Sequence, residues 1–313
     1  MKQLRLTNSE ASTWRRCQRK WYWQYYIGLR KRSHAPAGTP LAIGSRVHDA
    51  LSAYYSGKDP LQQLAEGIEH DIETYPLFEL SLRKDADLCN AMIEGYVAWL
   101  AETGVDQGLK VIAPETKMEV PLIEGVSLMA KLDARVERDS TYIGIAGPGA
   151  RLALEFKTAG NLTSPLPTLQ IDTQLLTEHL VEYLALKEAG REGERAQGVL
   201  YRMLRKVKRT AAAKPPFYAE EEVPHTVAEL RNHWRHVVAV ALQIRAATTR
   251  LDAGESHHDV CVPNPQQSCS WYCPLLQACK LATADADVDG YLLENFEIVD
   301  PLDRYDGVEM VEE

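Results

Sequence analysis

The apolar residues of this chain change from helical spacing to strict alternation and back, and that switch limits the fold more than any other feature. Val47, Leu51 and Tyr54 recur at helical intervals after Ser45, closed by Gly57, and helical spacing continues from Pro60 to Glu102. Between Lys117 and Thr158 the period falls to two, in Met118–Leu122, Ser127–Glu137 and Leu152–Thr158, with a Gly-Pro-Gly turn at 147–149. After a loop holding Pro165 and Pro167, Leu169–Ala189 is helical again and is stopped by Gly190. Val199–Val207 reads as a further strand and Val227–Arg250 as a long helix. A small, mainly antiparallel sheet among helices is therefore expected, an α/β fold without internal repeats.

At 313 residues, 45% hydrophobic and 25% charged, the chain can bury a core without staples, as one large domain or two small ones. Its first residues, MKQLRLTNSEASTWRRCQRK, form no apolar leader, and no run of about 18 apolar residues occurs. Neither a membrane span nor secretion is expected, and a reducing cytoplasm is. There, the six cysteines (Cys17, Cys89, Cys261, Cys269, Cys273, Cys279) read as metal ligands or buried thiols rather than disulfides.

The net charge of −9 argues against a protein that coats nucleic acid, but its distribution does not. Residues 1–33 hold nine basic groups and only Glu10 as an acid, and residues 201–214 add six basic groups with no acid. Residues 285–313 carry eleven acids and only Arg304, so this acidic tail is expected to be mobile or to dock a partner. A first helix, capped by Asn8 or Ser9 and closed by Gly28, interleaves Arg15, Arg16, Arg19 and Lys20 with Trp and Tyr. Cations beside aromatic rings suit single-stranded nucleic acid, and Arg205 and Lys206 are further candidates for phosphate contact. The competing reading packs most of those rings into the core.

Alternation in Leu152–Thr158 puts Leu152, Leu154 and Phe156 on one face and Glu155 with Lys157 on the other. In the preceding strand Leu128, Ala130 and Leu132 are apolar, so Asp133 lies on the polar face and can meet Glu155 across a hairpin. Two carboxylates so placed suit Mg2+ or Mn2+, which prefers oxygen ligands and can activate water for attack on a phosphodiester. Lys157 would orient that water or stabilise charge developing on phosphorus. The alternative is a solvated strand face with a surface ion pair.

The ordered segments GSRVH (44–48), LDAR (132–135), LEFKT (154–158) and DTQLLTEHLVEY (172–183) resemble the RecB-like branch of the PD-(D/E)XK nuclease superfamily. That branch includes CRISPR-associated RecB-like exonucleases and many phage exonucleases. The resemblance runs from residue 9 to about residue 280 and implies a restriction-endonuclease-like core sheet flanked by helices. It also implies that His48, Asp133 and Glu155 are metal ligands, that Lys157 is the catalytic lysine, and that Gln174 is the glutamine following the core sheet. A Tyr is expected at 178 in that motif, where this chain has Glu178; Tyr183 is the nearest candidate to replace it.

In CSWYCPLLQAC, three thiols lie close enough to read as ligands of zinc or of an iron-sulfur cluster, and spacing alone offers Cys261 or Cys17 as the fourth. Iron-sulfur members of the branch carry one cysteine on the first helix, as in CQRKWYW, and three near the C-terminus. The resemblance therefore favours a [4Fe-4S] cluster on Cys17, Cys269, Cys273 and Cys279 over Zn2+ on Cys261, Cys269, Cys273 and Cys279. Cys89 reads as a buried thiol.

The chain thus divides into a helical region with His48 (1–116), a nuclease core (117–252), a cysteine region too rich in Pro, Ser and Cys for regular structure (253–284) and the tail (285–313). The expected activity is metal-dependent exonucleolytic hydrolysis of DNA ends, on single strands, in recombination, repair or replication, with other replication or recombination proteins as partners. The rival is a catalytically inactive DNA-end-binding adaptor of a recombination complex. A zinc-stabilised regulatory protein is the weakest reading, since no recognition helix stands out.

Overall fold

A computed structural model describes residues 3–32, 37–141, 147–191, 194–210 and 212–305, apart from the side chains of Arg195 and Arg304. Two compact units form. One draws on Met1–His34, Glu119–Met129 and Asn232–Gly307, the other on Ala35–Met118 and Ala130–Arg231.

The smaller unit begins with β1 (Leu4–Thr7), parallel to the stretch Val126–Met129. The Thr7 hydroxyl caps α1 (Asn8–Arg16) by accepting from the Glu10 amide at 3.2 Å. The expected single helix to Tyr26 is broken. Cys17 is extended, α2 (Gln18–Trp21) follows, and Tyr22–Tyr26 form a π-helical turn. The break lets Trp21 pack edge-on against Trp14, ring centroids 4.9 Å apart, and donate to the buried Glu10 at 2.9 Å. Gly28 then turns with φ +83°, where a side chain would collide with the Val299 carbonyl, and leads into β2 (Leu29–Lys31).

In the larger unit, Thr39 caps α3 (Pro40–Tyr55), with Pro40 in the first turn where its missing N–H costs nothing. Then come α4 (Pro60–Thr74) and α5 (Glu79–Thr103). The strands are β3 (Leu109–Ile123), which begins ahead of the expected Lys117, β4 (Val126–Arg138) and β5 (Ala150–Ala159). After a 3-10 turn, α6 (Thr173–Glu188) leads to β6 (Arg195–Arg205) and β7 (Tyr218–Pro224). β4 pairs antiparallel with β5, β5 parallel with β6, and β6 antiparallel with β7. The sheet is mixed rather than mainly antiparallel because α6 carries the chain across to lay β6 alongside β5. Leu152, Leu154 and Phe156 enter a core with Val47, Leu51 and Tyr96 from α3 and α5, which leaves the opposite face of β5 to α6.

The chain closes through α7 (Val227–Asp252), α8 (His257–Val260), α9 (Cys269–Tyr272), α10 (Leu276–Thr283), α11 (Val288–Asn295) and β8 (Phe296–Ile298). The cysteine region therefore holds short helices where none was expected. Nor are the described residues 285–305 of the acidic segment a free tail: β8 pairs antiparallel with β2, and Tyr291, Leu292 and Phe296 pack with Trp23, Leu29 and Leu275. Its apolar residues decide this, while Asp285, Asp287, Asp289, Glu294, Asp300 and Asp303 stay exposed; residues 306–313 of the expected tail lie outside the described residues. Among the described residues no helix is long and apolar enough to cross a membrane.

Candidate active site

Asp133, Glu155, Lys157, His48 and Gln174 come together in the larger unit. The β4–β5 ladder runs to Ala134 opposite Leu154, and just beyond it the Asp133 carboxylate takes the Phe156 amide at 2.8 Å. His48, half-buried beside the Val47–Leu51 face of α3, pairs through Nδ1 with the other Asp133 oxygen at 3.1 Å. Asp172 caps α6 by accepting from the Gln174 amide at 2.7 Å, which fixes Gln174 in the first turn. From there its Nε2 donates to Glu155 at 2.7 Å while its Oε1 accepts from Lys157 at 3.0 Å. Lys157 also reaches Glu155 at 3.2 Å.

The polar face of the sheet is thus covered, not solvated. Gln174, Glu178 and Glu182, spaced four apart on α6, lie over it, and Arg135 grips Glu182 through two bonds of 2.7 and 2.9 Å that hold the helix against β4. Burial raises the Glu155 carboxyl to about 7, and the neighbouring Asp133 charge adds to the effect. Burial also opposes ionisation of Asp133, but His48 and the Phe156 amide outweigh it and bring the group below its ordinary range. For Lys157, burial favours the neutral amine, yet the Glu155 charge and hydrogen bond hold it charged. His48 is likewise raised: burial disfavours its cation, and the Asp133 charge and hydrogen bond prevail.

Two members of the site were given no role from the sequence. Tyr201 lies opposite Glu155 in the β5–β6 register and is pushed up to about 12 by burial. Glu178, only 2% exposed, leaves one oxygen without a hydrogen-bond partner and is raised well above its ordinary value by burial and by the Glu155 charge. Its folded form keeps a proton that the unfolded chain releases above about pH 4.5, so this group's stability is full below that pH and is lost as pH rises. Glu178→Gln, neutral and of equal size, is expected to stabilise the ion-free protein at pH 8 by about 1–3 kcal/mol, and much less at pH 5. Denaturant melts in chelator check this; a variant less stable than wild type at pH 8 contradicts it.

Of the basic candidates, Arg15 and Arg16 are exposed and Lys20 is half-buried. Arg19 does not reach the surface as expected. It is 6% exposed and donates to the Cys279 sulfur at 3.8 Å and to Thr283 at 3.4 Å, because the break at Cys17 turns it inward. Arg205 and Lys206 are half-buried at the end of β6, with Arg205 on the Lys214 carbonyl. Arg202 is buried between Asp106 and Glu220 and drops out of the basic cluster.

In the smaller unit, Cys17, Cys269, Cys273 and Cys279 line one cavity of about 80 Å3 with Arg19 and Trp23. Cys261 is fully buried outside that lining, its thiol pushed up to about 11 by burial. Cys89 is a buried thiol in the core of the larger unit.

Among the described residues, no three His, Cys, Asp or Glu side chains close around one point as a bound ion would draw them. Asp133 is engaged by His48 and Phe156, and Glu155 by Lys157 and Gln174. The donor set nevertheless fits a hard divalent ion: two carboxylates crowd one face, one of them held near neutrality, with a further buried carboxylate oxygen lacking a partner.

No curated protein matches the chain at a significant level. One solved structure it resembles, a candidate exonuclease from Eubacterium rectale, shares 12% identity over 86% of this chain and 93% of that one, with a TM-score of 0.45. A family model for the PD-(D/E)XK nucleases matches residues 5–280, a span that contains every residue of the site just described. The chain belongs to the PD-(D/E)XK nuclease superfamily.

Proposed function

We propose that the chain is a divalent-metal-dependent deoxyribonuclease that digests DNA from its ends, with single strands as substrate, in recombination, repair or replication, as for the phage exonucleases it resembles. The observation that carries this reading is the meeting of Asp133, Glu155 and Lys157 under Gln174 on one face of the sheet. Asp133, Glu155 and His48 would hold Mg2+ or Mn2+, which when bound supplies a water acidic enough to attack phosphorus and a charge for the leaving oxygen. Lys157 stays protonated among these carboxylates and is the cation available to orient the water and to face the charge developing on phosphate. Gln174 bridges Lys157 and Glu155 and so fixes both. The complete Asp-Glu-Lys set favours hydrolysis over an end-binding adaptor.

A [4Fe-4S] cluster on Cys17, Cys269, Cys273 and Cys279 is part of the reading. The residues fit it: four thiols share one cavity, and N–H groups of Arg19 and Gln266 point to the sulfurs of Cys279 and Cys269. Arg19 is a buried cation with no carboxylate partner among the described residues, so negative charge on sulfur is what would balance it. The Zn2+ alternative needs Cys261, which lies outside the cavity lining.

The test is digestion of end-labelled linear and covalently closed circular single-stranded DNA with Mg2+ or Mn2+. Loss of the linear strand with survival of the circle is expected. A circle cut as fast as the linear strand would make the chain an endonuclease, and binding without cleavage in either ion would favour the adaptor.

A further inference from the structure

Residues 260–284 contain no Asp or Glu, although the chain as a whole carries 44 of them. Within this acid-free stretch α9 ends in Trp271 and Tyr272, which are 69% and 60% exposed. Burying either ring would be favourable in folding, and neither is buried. The Arg16 guanidinium lies 5.1 Å from the centre of the Tyr272 ring and the Lys20 ammonium 5.0 Å from it, with the exposed Arg15 next in sequence. These contacts are built rather than incidental. The Asn264 side chain donates to the Arg16 carbonyl at 2.9 Å, the Val262 amide donates to Gln18 at 3.3 Å, and the Arg19 amide donates to the Val262 carbonyl at 3.4 Å. The loop that leads to α9 is thereby tied to the junction of α1 and α2.

A surface with two exposed aromatic faces, several cations and no acid in its own stretch of chain matches a flexible polyanion that offers flat rings. Single-stranded DNA meets both requirements. Paired bases keep their faces inside the stack, and an acidic peptide offers charge without rings at each repeat. We infer that Trp271 and Tyr272, flanked by Arg16 and Lys20, form a base-stacking platform that holds single-stranded DNA. The inference rests on the nuclease reading only in its choice of DNA as ligand, and it concerns residues outside the Asp133–Glu155 site.

The experiment measures anisotropy of three fluorescein-labelled probes without added divalent ion: oligo-dT, an abasic strand of equal length, and a blunt hairpin. Wild type is expected to prefer oligo-dT to the abasic strand. Trp271→Ala and Tyr272→Ala should each cost about tenfold on oligo-dT, bringing the double variant to the abasic level. Arg16→Ala with Lys20→Ala should weaken oligo-dT and abasic binding alike and flatten the salt dependence. Unchanged circular dichroism and visible spectra keep the comparison between folded proteins. Equal oligo-dT affinity in wild type and the double variant overturns the platform, as does equal wild-type affinity for dT and abasic strands. If DNA is digested and the double variant still binds normally, the platform fails while the nuclease reading stands. If no DNA is digested but Trp271→Ala still weakens oligo-dT, the reverse holds. Preference for an acidic peptide over oligo-dT would make the surface a protein-docking site and overturn the inference.

Discussion

Glu155→Ala is expected to lower Mn2+-dependent digestion of end-labelled DNA by about 10^3-fold or more, a loss of about 4 kcal/mol of transition-state stabilisation. Glu155 is 3% exposed and shares its environment with Asp133, so its loss removes one of the two carboxylates that face each other there. Misfolding would not explain the result. The carboxyl is held near pH 7 by burial, so removing its charge relieves a strained group, and Glu155→Gln should melt no lower than wild type when divalent ions are chelated. Lys157→Ala separates binding from chemistry. It leaves both carboxylates, so Mn2+ binding by calorimetry should persist, while digestion falls by about 10^2–10^3-fold because the ammonium bonded to Glu155 and Gln174 is gone. Should Glu155→Ala digest DNA like wild type, the metal and catalytic roles assigned to this face would be wrong. Loss of Mn2+ binding in Lys157→Ala would instead make Lys157 an architectural residue.

How much of this site could be read from the sequence depended on how local its geometry is. Alternation alone put Glu155 with Lys157 and Asp133 with Arg135, because side-chain direction in a strand is fixed by parity. Gln174 follows from the resemblance alone, since the expected helix begins at Leu169 and so hides Asp172, the actual cap of α6. Glu178 and Glu182 continue the same stripe at intervals of four, and that spacing was visible. Their burial was not, since it depends on the sheet passing beneath the helix. Tyr201 joins the site only through the parallel β5–β6 register, a non-local pairing that no single segment encodes. The first helix was misjudged because its run of Trp and Tyr suits a helix locally, yet the buried partners Glu10 and Trp14 reward a break at Cys17. In the C-terminal segment eleven acids masked Tyr291, Leu292 and Phe296, which are enough to seat it.

Cys17→Ala and Cys279→Ala are each expected to abolish a broad absorption near about 400 nm in anaerobically purified protein, whereas Cys261→Ala retains it. The distinction follows from placement: Cys17 and Cys279 line the cavity with Cys269 and Cys273, and Cys261 does not. Iron and acid-labile sulfide should be present in equal amounts in wild type and missing from the first two variants. The effect on stability should also be large. A link from Cys17 to Cys279 closes most of the chain into one loop, for which cross-link entropy alone is worth about 5 kcal/mol. The Arg19 guanidinium, buried beside the Cys279 sulfur, would then face thiols that can no longer share a common charge, and an unpaired buried cation is costly. Protease digestion should accordingly release the segment after α7 in Cys17→Ala sooner than in wild type. Colourless wild-type protein that carries zinc, and loses it on Cys261→Ala but not on Cys17→Ala, would transfer the site to Cys261, Cys269, Cys273 and Cys279. Cys279 belongs to that set too, so its thiolate would still face Arg19.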